Sequence, residues 1–158
     1  MEQAKDHYLS KKQDPSLKLF VVLSKAYRAV SDQVAKDIRS HGLNTTDFAV
    51  MELLYHQGEQ PLQKIGDKIL LASGSITYVV DKLEKKDLVK RKPCPEDRRI
   101  TYALLTEQGQ KLLYDIFPEH WKQIEAITAG LNETEKREAI QLLKQLGRYA
   151  DEFANNEL

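Results

Sequence analysis

Gln60-Pro61-Leu62-Gln63-Lys64-Ile65-Gly66-Asp67-Lys68-Ile69 opens the stretch that decides the fold, and Pro95-Glu96-Asp97-Arg98-Arg99 marks its far tip. Proline near the head suits the start of a helix, where its missing N–H would have no partner in any case. Leu62, Ile65 and Ile69 then recur at helical spacing. Leu71-Ala72-Ser73-Gly74-Ser75 is turn chemistry, and Ser73 is a good N-cap for a second helix from about Gly74 to Lys86. On that helix Ile76, Val79, Val80 and Leu83 form the apolar stripe, while Ser75, Thr77, Tyr78, Asp81 and Lys82 lie away from it. The exposed N-terminal half is therefore small and hydroxyl-rich, which lets a helix approach base edges closely and bond to bases or phosphates.

A basic hairpin follows. Leu88-Val89-Lys90-Arg91-Lys92 reads as a strand and Ile100-Thr101-Tyr102-Ala103-Leu104-Leu105 as its partner. The prolines and charges between them exclude a tight two-residue turn and project a loop. From Lys82 to Arg99 there are eight Lys or Arg against four Asp or Glu, on a chain of formal net charge zero. A charge run alone is usually a solvated face. Placed directly after two short helices, the same run reads as a phosphate-contacting wing. Helix, turn, helix and basic hairpin in that order make a winged helix-turn-helix, which lays one helix in a major groove and a loop beside it.

Long amphipathic segments flank this lobe. Phe20, Leu23, Tyr27, Val30, Val34 and Ile38 step by three and four along a first helix. Leu112, Leu113, Ile116, Phe117, Ile124, Ile127 and Leu131 do so along a penultimate one, where Pro118 should kink or break the helix. Asn132-Glu133-Thr134-Glu135 is a capping-box arrangement opening a last helix, whose apolar face is Ile140, Leu143, Leu146, Tyr149, Ala150 and Phe153. Between the first helix and the lobe, Asn44 can cap a further helix, with Asp47 in its first turn and Leu43 and Phe48 as a hydrophobic staple. Phe48, Met51, Leu54 and Tyr55 should face inward. The expected architecture is mainly α with a small β-hairpin wing. It is one domain over 1–158, with a winged helix-turn-helix lobe at 43–106 and helices suited to dimerisation at 16–40 and 107–156.

Asp97-Arg98-Arg99, a strand, and then Leu105-Thr106-Glu107-Gln108-Gly109 resembles the wing of MarR-family transcriptional regulators. Leu43 to Met51 and Ser75 to Glu84 are similar to the second and fourth helices of that family, and the resemblance spans roughly residues 16 to 155. Within the family, Leu70 to Val80 and Cys94 to Arg99 look most like the branch that senses quinones and related aromatic electrophiles. The resemblance implies a homodimeric repressor, interlocked through its terminal helices, on a near-palindromic operator in double-stranded DNA. It implies a wing in which Arg99 enters the minor groove, Asp97 holds the loop and Arg98 makes a backbone or alternative groove contact. Ser73, Ser75, Thr77 and Tyr78 become candidate base or phosphate contacts, with Lys82 a phosphate contact further along. It also implies a pocket for a small aromatic effector, for which Tyr27, Phe48, Met51 and Phe117 are the candidates; an aromatic and methionine stripe is otherwise usually core.

The rival readings have less support. None of His7, His41, His56 and His120 forms a His-x-x-x-His or His-Glu-x-x-His pair, there is no Gly-x-Ser-x-Gly, and Ser73-Gly74-Ser75 lacks a phosphate-loop lysine, so neither a catalytic site nor a metal or cofactor is expected. His56-Gln57-Gly58 reads as a helix C-terminus, and Glu119-His120-Trp121 has no visible partner. One cysteine, Cys94, excludes an intramolecular disulfide. Its cationic neighbours favour thiolate, so a thiol-based redox regulator is one alternative, and a winged-helix protein-interaction module without DNA binding is another. No apolar run reaches the length of a membrane span, and Met1 to Lys12 is too polar for a signal-peptide core, so the cytoplasm is the expected compartment.

Overall fold

The computed structural model describes residues 14–69 and 73–156. Its chain divides into two compact units between Gln123 and Ile124. Helix α1 spans Pro15–Ser40 and begins where Asp14 accepts the Ser16 N–H at 2.7 Å. Its end is set by Gly42, at φ +76°. The Gly42 N–H bonds Arg39 O and the Leu43 N–H bonds Ile38 O, a Schellman closure in which Leu43 and Ile38 are both buried. Helix α2, Thr45–Gln57, starts one residue after Asn44, whose side chain accepts the Asp47 N–H at 2.8 Å, and stops at Gly58, at φ +70°.

Gln60–Pro61 forms a two-residue strand, β1, that the sequence reading did not include. Pro61 therefore precedes helix α3, Leu62–Lys68, instead of occupying its first turn. Helix α4 spans Ser73–Lys85, one residue earlier at each end than expected; the turn over 70–72 lies outside the described residues. Asp87, at φ +55°, then closes α4 as Gly42 closes α1: its N–H bonds Glu84 O, and the Leu88 N–H bonds Leu83 O. Strands β2, Val89–Pro93, and β3, Thr101–Leu105, pair antiparallel from Val89↔Leu105 to Pro93↔Thr101. β1 adds to the other edge of β3 through Gln60↔Ala103 and Pro61↔Tyr102, giving the order β1-β3-β2.

Helix α5, Glu107–Ile127, continues through Pro118, so of the expected kink or break the break does not occur. Its start explains the Leu-Thr-x-x-Gly pattern. Thr106 Oγ1 accepts the Gly109 N–H at 3.0 Å and donates to Asp87 O at 2.5 Å. A Cβ on Gly109 would lie 2.0 Å from the Leu88 carbonyl oxygen, so only glycine permits this approach. The pattern thus ties the start of α5 to the turn that ends α4. One core unites Ile38, Phe48, Met51 and Leu54 with Ile65, with Val80 and Leu83 of α4, with Val89 and Ala103 of the sheet, and with Leu113 and Ile116 of α5. Tyr55 departs from the expected inward face: it is exposed and stacks on Phe117 with centroids 5.6 Å apart.

In the second unit, helix α6 spans Glu133–Asn156. Its capping box is reciprocal: the Glu135 N–H donates to Asn132 Oδ1 at 3.0 Å and the Asn132 N–H to Glu135 Oε2 at 2.8 Å. Ile140, Leu143, Tyr149 and Phe153 are all exposed on it. On α1, Phe20 and Tyr27 are 68% and 74% exposed, so the apolar stripe of that helix is largely uncovered along its N-terminal half.

Candidate nucleic-acid interface

The candidate interface is built on α4. Ile76, Val79, Val80 and Leu83 are buried and fix its rotation about its own axis. That rotation leaves Ser75, Thr77 and Tyr78 exposed, Tyr78 to 69%. Ser73 begins the helix, and its side chain lies outside the described residues. A cleft of about 420 Å³ runs between Asn44, Thr46 and Asp47 of the α2 N-terminus and Ser75, Tyr78 and Lys82 of α4.

Lys82 does not simply project toward solvent. Its Nζ lies 2.7 Å from Oδ1 of Asp47, a carboxylate only 1% exposed, and Lys86 Nζ is 3.9 Å from the other oxygen. A buried carboxylate without a cation is costly, so this pair anchors the C-terminal half of α4 to the first turn of α2. Any phosphate contact by Lys82 shares its ammonium with Asp47.

The wing tip is a ring of short contacts. Asp97 Oδ1 accepts the Arg99 backbone N–H at 2.9 Å and its Nε–H at 3.0 Å, while Oδ2 accepts from Nη2 at 2.9 Å. This bidentate fork presents the Arg99 side chain, 91% exposed, in a set direction. The Arg99 side-chain hydrogen bond, then its backbone one, holds the Asp97 carboxyl below its ordinary value, and the same pairing raises the guanidinium of Arg99. Arg98 is exposed beside it. The loop is closed by Cys94 N–H to Ile100 O and Ile100 N–H to Asp97 O, both 3.0 Å. Cys94 is half-buried at the base of this loop.

Of the basic run, Lys85, Lys90 and Arg98 carry no ion pair among the described residues; Lys92 pairs with Glu59 at 3.0 Å. Arg91 reaches back to α4. Its guanidinium meets Asp81 at 2.5 Å, Glu84 at 2.6 Å and Thr77 O at 3.3 Å, and its backbone N–H bonds Glu84 Oε1 at 3.2 Å. Burial opposes its charge, and the bonds to Asp81 and Glu84 outweigh that, so its pKa is raised. In the sequence Arg91 reads only as local charge. Strand alternation was the available signal, since Arg91 follows the buried Val89 on the same face of β2.

The four effector candidates are dispersed. Phe48 and Met51 are core, Phe117 is half-buried and Tyr27 is exposed on α1. Phe48 and Phe117 meet across His120, with centroids 4.8 and 6.3 Å from its ring. His120, which had no visible partner in the sequence, bonds Asp37 through Nδ1 at 2.6 Å, and His41 Nε2 lies 3.6 Å from the same carboxylate. None of the four candidates lines the nearby cleft of about 370 Å³, which is bounded by Leu54, Tyr55, Glu59, Leu104 and Gln110. Among the described residues no group of three or more His, Cys, Asp or Glu is placed to hold a metal, and no helix is long and apolar enough to cross a membrane.

A family model described as MarR family matches residues 43–101, from the staple of α2 to the start of β3. HTH-type transcriptional regulator MhqR of Bacillus subtilis (strain 168) is 58% identical over 142 residues, covering 90% of this chain and 98% of that protein. The chain belongs to the MarR family. Its fold agrees: Sco3205, a MarR family transcriptional regulator from Streptomyces coelicolor solved in complex with DNA, superposes with a TM-score of 0.76 at 16% identity, over 83% of this chain and 84% of that one. NadR, solved in complex with 4-hydroxyphenylacetate, superposes with a TM-score of 0.73 at 23% identity, over 85% and 98%. This MarR-family chain is a DNA-binding transcriptional regulator, as its relatives are, and not an enzyme.

Proposed function

We propose that the protein is a homodimeric repressor, released from a near-palindromic operator by a small aromatic or quinone-like ligand. The observation that carries the DNA side is the pairing on one lobe of two differently shaped elements. One is a helix whose outward face is Ser75, Thr77 and Tyr78; the other is a loop that holds Arg99 extended through Asp97. The helix suits a major groove and the single guanidinium a narrow minor groove. Ser73, Ser75, Thr77 and Tyr78 are assigned to bases and phosphates, with Lys82 at the phosphate edge and Arg98 and Arg99 at the wing. The uncovered apolar faces of α1 and of α6 support a dimer, because each is large for a surface left to water.

The effector side rests on the resemblance around residues 70–80 and 94–99, and on the aromatic ligand in the complex of NadR. Phe48, Met51 and Phe117, with Tyr27, remain the pocket residues of this reading. Tyr55, one helical turn beyond Met51, already lines an open cleft. The test is selection of binding sites from random DNA, followed by titration of the selected complex with simple quinones and phenolic acids. Inverted-repeat sites that are released by such compounds support the reading; sites without internal symmetry, or complexes indifferent to every aromatic tried, contradict it.

A further inference from the structure

We infer that Arg91 is a positioning residue that clamps the wing strand to the recognition helix, fixing the angle at which the two elements meet DNA. The inference rests on the reading of α4 and the wing as the DNA-contacting elements, and it changes the role of one cation in the basic run. In β2 the side chains alternate, so Val89, Arg91 and Pro93 share a face while Lys90 and Lys92 share the other. Val89 is 1% exposed, in the core. Arg91 therefore continues a core-facing row, and its side chain turns onto α4 where Lys90 and Lys92 point outward.

On α4, Thr77, Asp81 and Glu84 lie on successive turns of one stripe, beside the exposed Ser75 and Tyr78. All three accept from Arg91: the Thr77 carbonyl at 3.3 Å, Asp81 at 2.5 Å and Glu84 at 2.6 Å. Glu84 also takes the Arg91 backbone N–H, so one carboxylate grips both the strand and its side chain. A planar guanidinium can satisfy three acceptors at once, and a lysine ammonium cannot reproduce that fork. The arrangement answers an electrostatic puzzle as well. Two carboxylates on the DNA side of a recognition helix would repel the phosphates that the helix must approach, and Arg91 offsets them while using them as its anchor. Because Asp81 and Glu84 are about half exposed, these pairs contribute modestly to folding. Their removal leaves the lobe folded and frees the wing to swing.

The test is Asp81→Asn with Glu84→Gln, and separately Arg91→Lys, each made alone and together with Arg99→Ala. Operator affinity and circular dichroism are measured for every chain. Simple charge predicts that removing two carboxylates tightens DNA binding. The clamp predicts weaker binding, and a wing that no longer contributes: Arg99→Ala should cost roughly tenfold in the otherwise unaltered chain and less than about threefold in either clamp variant. Arg91→Lys keeps its charge and should still behave like the double variant, so it carries the test alone if the double variant does not fold. Tighter binding by the double variant overturns the clamp, as does an undiminished Arg99→Ala penalty in both backgrounds. Should Arg99→Ala cost nothing in the unaltered chain, the wing reading falls and this inference falls with it.

Discussion

Asp97 grips Arg99 through both its backbone and its side chain, and that arrangement sets a sign that charge alone would not. Asp97→Ala removes a negative charge near DNA, yet it should weaken operator binding, because the guanidinium loses the fork that aims it. Arg99→Ala should weaken binding roughly tenfold or more and relax any preference for A/T pairs flanking the half-sites. Titration of both variants against the selected operator checks this; tighter binding by Asp97→Ala would contradict the wing geometry. The same contact has a pH signature. The folded Asp97 carboxyl is held below its unfolded value, so its contribution is present above the ordinary aspartate pKa of about 3.9 and disappears as pH falls through the depressed value. The wing should keep its internal pairing throughout the neutral range. In a carbon-13 titration Asp97 should protonate at lower pH than an unpaired aspartate, and Arg99→Ala should move it part of the way back, since the residue-99 backbone N–H remains. Cys94 belongs at this scale too. It sits at the base of the loop, away from Arg99 in role, and Cys94→Ser should still release DNA on addition of inducer. Loss of induction with DNA affinity intact would make the thiol the sensor.

Elements were legible in the sequence where their signals are local. Asn44 and Asn132 cap the helices they were expected to cap, and the apolar stripe of α4 buries the residues named for it. Misses arose where a partner lies far along the chain. β1 is two residues long and exists only because β3 pairs with it. Asp47 read as a first-turn acid, and nothing nearby announced Lys82; Asp37 and His120 found each other in the same way. Local chemistry at Pro118 predicts a kink or a break, and α5 runs through it unbroken, with Leu113 and Ile116 buried on the preceding turns and His120 on the following one. The Leu-Thr-x-x-Gly pattern was legible as a motif, but its cause was not. Gly109 allows the Leu88 carbonyl to close on α5, and that contact holds the turn from which the wing leaves α4. Gly109→Ala would ordinarily help a helix, so the sign is informative. Here it should destabilise by roughly 1–3 kcal/mol or more, because the clash is with backbone. Urea unfolding measures this, and an unchanged or raised midpoint would show that the approach is not obligatory.

On the scale of the whole molecule, formal net charge is zero while residues 82–99 carry eight cations against four anions and residues 132–158 four against six. On the proposed reading, attraction to DNA comes from one region and not from the chain as a whole, and several of its cations are already engaged with acids of the same lobe. On the proposed reading the phosphate contacts of one subunit are few, and the proposed dimer multiplies them. That makes salt dependence, read together with stoichiometry, the most direct test of the central claim. Binding of the selected operator is measured from about 50 to 200 mM salt, with the mass of the complex determined at each end. Two chains should bind one inverted repeat with half-sites about one helical turn, roughly 34 Å, apart. Log affinity should then fall linearly with log salt, with a slope near −0.9 for each phosphate neutralised and several phosphates in total. A single chain on one asymmetric site, with affinity nearly flat in salt, would contradict the account.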